Sequence, residues 1–128
     1  GSLSRRAFVR AFHSDMSTVY SAADFVVARA GANTVMEIRR MGRSALLVPF
    51  PFATDDHQMA NARVLEKAGE ARVVVEKDLT VDTLWTILRE LPSTEMLRAK
   101  SSERLAHGGP DLLNAAQRVA DLITEEKK

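Results

Sequence analysis

Phe25-Val26-Val27-Ala28-Arg29-Ala30-Gly31-Ala32-Asn33-Thr34-Val35-Met36-Glu37-Ile38 carries a strand, a turn and the start of a helix. Phe25 to Ala28 is continuously apolar, the mark of a strand buried on both faces. After Arg29 the turn is built of small residues. From Asn33 or Thr34 onward the apolar positions Val35, Ile38 and Met41 fall at helical spacing, and Gly42 is a good residue to end the helix. A small-residue turn of this kind leaves backbone N–H groups free at a helix start, where unpaired donors and the helix dipole favour an anion. Glu37 sits one turn further in. Taken alone the stretch also has an ordinary reading. Such turns are common connections in α/β folds, and Glu37 then reads as a solvated acid or a partner of Arg39 or Arg40.

The same alternation extends outward. Upstream, Ala7-Phe8-Val9-Arg10-Ala11-Phe12 reads as a short strand. Ser14 or Asp15 caps a helix with Met16, Val19, Tyr20 and Ala23 at helical spacing. Downstream, Ser44-Ala45-Leu46-Leu47-Val48 reads as a strand stopped by Pro49-Phe50-Pro51-Phe52, since proline cannot donate to a ladder. A loop over 53–56 leads to a helix from about His57 to Ala68, closed by Gly69. Ala71-Arg72-Val73-Val74-Val75 is a fourth strand, and Asp78 to Thr80 a turn. Thr80 caps a helix with Leu84, Ile87, Leu88 and Leu91, in which Trp85 packs into the core. A helix over 94–106 and a last one from Asp111 to about Glu125 follow, broken by Pro92-Ser93 and by Gly108-Gly109-Pro110. Repeated strand–helix alternation predicts an α/β fold, a Rossmann-like parallel sheet with flanking helices and about four strands. In such sheets ligands bind beyond the carboxyl ends of the strands. The loops at Phe12-His13, Arg29 to Thr34 and Pro49 to Gln58 are expected to converge there.

The 128 residues suffice for one domain, and a net charge of +1 with few aromatics gives no case for nucleic acid. There is no cysteine, hence no disulfide or thiolate site. No apolar run approaches the ~20 residues of a membrane span. Gly1-Ser2 reads as a remnant of expression cloning, so 1–4 is set aside as leader, 5–125 as the domain and 126–128 as tail. Asp55-Asp56-His57 lacks metal-ligand spacing, and Asp55 or Asp56 reads as a helix cap. His13 and His107 read as surface residues, as do Arg5, Arg6 and Arg10. Nothing orients His57 as a general base.

At Arg29-Ala30-Gly31-Ala32-Asn33-Thr34-Val35-Met36-Glu37 and again at Pro49-Phe50-Pro51-Phe52-Ala53-Thr54-Asp55-Asp56-His57-Gln58-Met59-Ala60-Asn61-Ala62, the sequence resembles the MurG family (glycosyltransferase family 28, GT-B fold). These are the UDP-N-acetylglucosamine transferases of bacterial peptidoglycan synthesis. The resemblance is to their C-terminal, donor-binding part and runs from about Arg6 to Ile123. It implies an inverting hexosyltransferase that converts lipid I to lipid II at the inner face of the cell membrane, with roles in cell wall formation, cell shape and division. It further implies that Ala32, Asn33 and Thr34 meet the diphosphate and sugar, that Glu37 accepts from the ribose hydroxyls, and that Gln58 reads the N-acetylglucosamine hydroxyls with His57 beside it. Phe12-His13 pair with the uracil edge, and Arg29 belongs to the first motif. Asn33 departs from the family's usual apolar residue, and Phe52 from a common histidine.

The same resemblance sets limits. The family's acceptor-binding half, with its catalytic base, and the Gly-rich loop of the donor half have no counterpart here. The chain is therefore expected to bind the UDP-sugar, with no catalytic residue, metal or cofactor of its own, and to be inactive alone. The lipid-linked acceptor is expected to meet the N-terminal half. Open sheet edges are expected to favour self-association. The alternative is a non-catalytic UDP-sugar-binding subunit of a split glycosyltransferase.

Overall fold

The computed structural model describes residues 7, 9–11, 13–52 and 57–107. Three strands, β1 (Phe25–Ala28), β2 (Ser44–Leu47) and β3 (Ala71–Val73), form a sheet in the order β1-β2-β3. Both pairings are parallel, with Ala28 opposite Leu47 and Leu47 opposite Val73. The ladder runs slightly past the strands, through Val48 N–H to Ala28 C=O and Val74 N–H to Leu47 C=O. Helices α1 (Met16–Ala22), α2 (Ala32–Arg40), α3 (Gln58–Lys67) and α4 (Val81–Arg89) alternate with them, and α5 spans 94–107.

Alternation along the strands divides the core in two. Ala45 and Leu47 face one side, with Val26 and Ala28, against Tyr20 of α1, Val35 and Ile38 of α2, and Ala62 and Leu65 of α3. Leu46 and Val48 face the other, with Phe25, against Leu84 and Ile87 of α4. β2 is therefore covered on both faces, and Leu46 and Leu47 are fully buried.

Local chemistry explains the element ends. The Asp15 carboxylate caps α1 by accepting from the Thr18 N–H and hydroxyl. The Thr80 hydroxyl caps α4 by accepting from Thr83 N–H. Gly42 and Gly69 follow α2 and α3 in the left-handed conformation, with φ of 68° and 73°. From α5, the Arg104 guanidinium donates to Gly42 C=O, the Ser44 hydroxyl and Gly69 C=O. One side chain thus ties together the turns that feed β2 and β3.

Several expectations need correction. Residues 7 and 9–11 form no strand. A strand needs a neighbour to fill its ladder, and Val9 stands 94% exposed with no sheet beside it. The sheet among the described residues accordingly has three strands rather than four. β1 is not buried on both faces: Val27 is half exposed, because α4 covers the Phe25 end of that face and not the Val27 end. Trp85 is likewise half exposed, with the Arg89 guanidinium 5.8 Å from its ring centroid. The turn after β3 is a 3-10 turn at Glu76–Asp78. The helix expected at 111–125, Phe12, and the caps proposed at Asp55 or Asp56 lie outside the described residues.

Candidate functional site

The turn after β1 lies at the carboxyl end of an edge strand, next to β2. Gly31 is the N-cap of α2, with extended backbone angles (φ −61°, ψ 150°) and no side-chain cap. The first turn of α2 also carries no acidic residue. The leading N–H groups of this helix, at Ala32, Asn33 and Thr34, thus meet no capping side chain at Gly31 and no local negative charge. That is the arrangement in which a phosphate is favoured. Ala32 and Asn33 are exposed and Thr34 is half-buried.

Helix α3 holds this turn in place. Gln58, its first residue, accepts through Oε1 from Ala30 N–H (3.2 Å) and from Phe50 N–H (2.7 Å). One turn along, Asn61 Nδ2 donates to Ala30 C=O (3.1 Å). Both backbone groups of the fully buried Ala30 are therefore gripped by one face of α3. The Gln58 bond to Phe50 draws in the loop after β2. The family resemblance implies a sugar-reading amide at Gln58; the structure adds that its oxygen joins two loops.

Arg29 is turned along the strand ends. It pairs with Glu76 at 2.6 Å, reaches Val48 C=O at 3.4 Å, and lies 5.4 Å from the centre of the Phe50 ring. It fastens the loops after all three strands. A cleft of about 640 Å³ opens beside it, lined among others by Phe50, His57, Gln58, Met59 and Glu76. His57 and Gln58 thus face a common cleft. Ala32, Asn33, Thr34 and Glu37 do not line it; they belong to the start and first turns of α2. His13 is half-buried and accepts through Nδ1 from Asp15 N–H at 3.3 Å, ahead of α1.

Tyr20 on α1 packs in the core with Val35 and Ile38 of α2. Burial first, with the Glu37 charge adding, holds its phenol above the ordinary value. Tyr20, Asn61 and Glu76 were absent from the residues picked out by sequence. Asn61 was legible as the helical neighbour of Gln58 three residues on. Tyr20 and Glu76 reach the site only through tertiary packing. No cluster of three histidine, aspartate or glutamate side chains able to hold a metal occurs among the described residues. No helix among them is long and apolar enough to cross a membrane.

A parallel sheet flanked by helices, with an open helix start and a pinned side-chain amide at its carboxyl ends, is a Rossmann-like domain of the GT-B glycosyltransferase type. Residues 3–123 match the family model of the glycosyltransferase family 28 C-terminal domain, and the chain belongs to that family. Among its relatives are two enzymes named UDP-N-acetylglucosamine–N-acetylmuramyl-(pentapeptide) pyrophosphoryl-undecaprenol N-acetylglucosamine transferase. That of Myxococcus xanthus is 43% identical over 122 residues, covering 94% of this chain and 31% of the relative. That of Solibacter usitatus is 38% identical over 114 residues, covering 89% and 30%. The crystal structure of Acinetobacter baumannii MurG matches with a TM-score of 0.70 at 38% identity, over 89% of this chain and 33% of that one. The chain thus spans about a third of the length of these relatives.

Proposed function

We propose that this chain is the donor-binding part of a MurG-type transferase, which moves N-acetylglucosamine from its UDP-sugar to lipid I with inversion, making lipid II. The observation that carries the reading is the pair of hydrogen bonds that Gln58 Oε1 accepts from Ala30 N–H and Phe50 N–H. It fixes a sugar-reading amide beside an uncapped helix start, so that one ligand with a diphosphate and a sugar can span both. In this reading the N–H groups at Ala32, Asn33 and Thr34 face the diphosphate, with Thr34 adding its hydroxyl. Glu37, with two acceptor oxygens, takes the vicinal ribose diol. Gln58 and His57 face the sugar across the cleft, Arg29 supports the cleft from below, and Phe12-His13 offer backbone to the uracil edge.

The chemistry asked of this chain is leaving-group stabilisation. Backbone N–H groups already aimed at the diphosphate meet the charge that builds on departing UDP without rearranging. That role requires no metal. Attack requires a positioned acceptor and a base, and both are assigned to the other half of the enzyme. A lipid-linked acceptor places the complete enzyme at the inner face of the cell membrane.

Calorimetric titration with UDP-N-acetylglucosamine tests the reading. Saturable binding is expected, and Glu37→Ala should weaken it by about 1–3 kcal/mol, the worth of charge-assisted hydrogen bonds to the ribose. Absence of binding by the wild type overturns the donor site; unchanged affinity in the variant overturns the role of Glu37.

A further inference from the structure

Two buried side-chain polar atoms have no hydrogen-bond partner among the described residues, Arg43 Nε and Ser101 Oγ. Both residues line one cavity of about 410 Å³, together with Ser21, Asp24, Arg98 and Ser102. That volume suits a small molecule. Asp24 and Arg43 immediately precede β1 and β2. The cavity therefore lies at the amino ends of the strands, away from the donor cleft at their carboxyl ends. α1 contributes Ser21, and α5 contributes Arg98, Ser101 and Ser102.

A buried polar group without a partner is costly and uncommon, so two on one cavity point to a group that enters it. The charges say which kind. Arg98 Nε donates to Asp24 Oδ1 at 2.8 Å. Arg43 donates through Nη2 to Ser21 C=O at 3.2 Å, and among the described residues no carboxylate stands at ion-pair distance from it. Two guanidiniums thus share a cavity with one carboxylate that is already engaged. A water answers the Ser101 hydroxyl but leaves the Arg43 charge without a counter-charge; an anion answers both. Potential donors come from α1, from the turn before β2 and from α5. A planar carboxylate offers two oxygens in one plane, whereas a tetrahedral phosphate offers oxygens in all of these directions.

We propose that this cavity is a phosphate-binding site separate from the donor site, in which Arg43 and Ser101 donate to the phosphate oxygens and Arg98 and Ser102 flank them. The phosphate arrives free or as the head of a small phosphomonoester. Bound there, it joins α5 to the starts of β1 and β2 and stabilises the folded chain by mass action.

The test is calorimetric titration and thermal unfolding in chloride buffer of constant ionic strength, with inorganic phosphate and with glycerol 3-phosphate as probes. Wild type should bind saturably and gain thermal midpoint with either probe. Ser101→Ala deletes a hydroxyl that has no partner in the protein, so without phosphate it should be no less stable than wild type. It should bind phosphate about 3- to 10-fold more weakly and gain less midpoint from it. Arg43→Met should weaken binding by about 10-fold or more. Tighter binding of glycerol 3-phosphate than of phosphate assigns the site to a phosphomonoester; equal or weaker binding assigns it to the free ion. Absence of saturable binding by the wild type leaves water as the only occupant and overturns the proposal. So does binding of wild-type strength in Ser101→Ala, which places the phosphate elsewhere, the open start of α2 included.

Discussion

In the proposed function one side chain, Gln58, serves both fold and ligand. Its oxygen accepts from two backbone N–H groups on different loops, so the amide is fixed as donor and acceptor by its surroundings. The two functions separate on substitution. Gln58→Glu retains an oxygen able to accept from Ala30 and Phe50, but has no N–H to offer a sugar hydroxyl. It should retain more stability than Gln58→Ala and lose affinity for UDP-N-acetylglucosamine, with UDP itself little affected. Gln58→Ala leaves both N–H groups without their acceptor and should lose about 1–3 kcal/mol of stability as well. Paired denaturation and titration measure the two effects. Equal stability loss in both variants would show that the oxygen bridge is not what holds the loops.

The helix ends test the fold at the next scale. Gly42 and Gly69 have the same left-handed backbone, but a Cβ at Gly42 would stand 2.9 Å from Ser101 C=O and 3.2 Å from the Leu105 side chain, while one at Gly69 would meet nothing within 4 Å. Gly69→Ala should therefore cost only the backbone strain, about 1–2 kcal/mol. Gly42→Ala should cost more, because α5 must also move; the denaturation midpoints rank them. Arg104→Met removes the three hydrogen bonds that join both turns to α5 and should lower stability by about 1–3 kcal/mol. These glycines, the caps at Asp15 and Thr80 and the apolar stripe of Val35 and Ile38 were legible in sequence, because each depends on local geometry. The helix start at 31–34 was legible for the same reason, and the two motifs together gave the family. What was not legible depends on which elements meet. Trp85 has core chemistry but lies where no described element covers it, and Val27 lies beyond the reach of α4. Residues 7 and 9–11 have strand composition without a strand to pair with. Arg29 has a cation's chemistry, but only the placement of β3 shows that Glu76 receives it.

At the scale of the molecule, the ends of the described chain are joined by charge. Arg98 on α5 holds Asp24, just before β1, through both carboxylate oxygens, at 2.8 Å to Oδ1 and 3.4 Å to Oδ2. The hydrogen bond from Arg98 leads the causes that put the Asp24 carboxyl below its ordinary value of 3.8, and the Arg98 and Arg43 charges add to it. Asp15 lies low for a different reason, chiefly the Thr18 hydroxyl and N–H that it caps. In both cases the folded carboxyl binds its proton less readily than the unfolded one. The unfolded chain therefore takes up more protons as pH falls below about 5, and stability declines with it. The contribution is complete above the unfolded value near 3.8 and is lost as pH drops through the lower folded values. The urea midpoint should hold between pH 7 and 5 and then fall towards pH 3, earlier at high salt because both sites are exposed and screened. The two acids are separable. Asp15→Asn retains a side-chain oxygen to cap α1 and should keep most of its stability at neutral pH, with a flatter acid limb. Asp24→Asn leaves Arg98 without its charged partner, so it should be less stable than wild type at pH 7 and approach it near pH 3. An Asp24→Asn curve parallel to wild type from pH 7 to 3 would mean that the Asp24–Arg98 pair does not couple α5 to the start of β1.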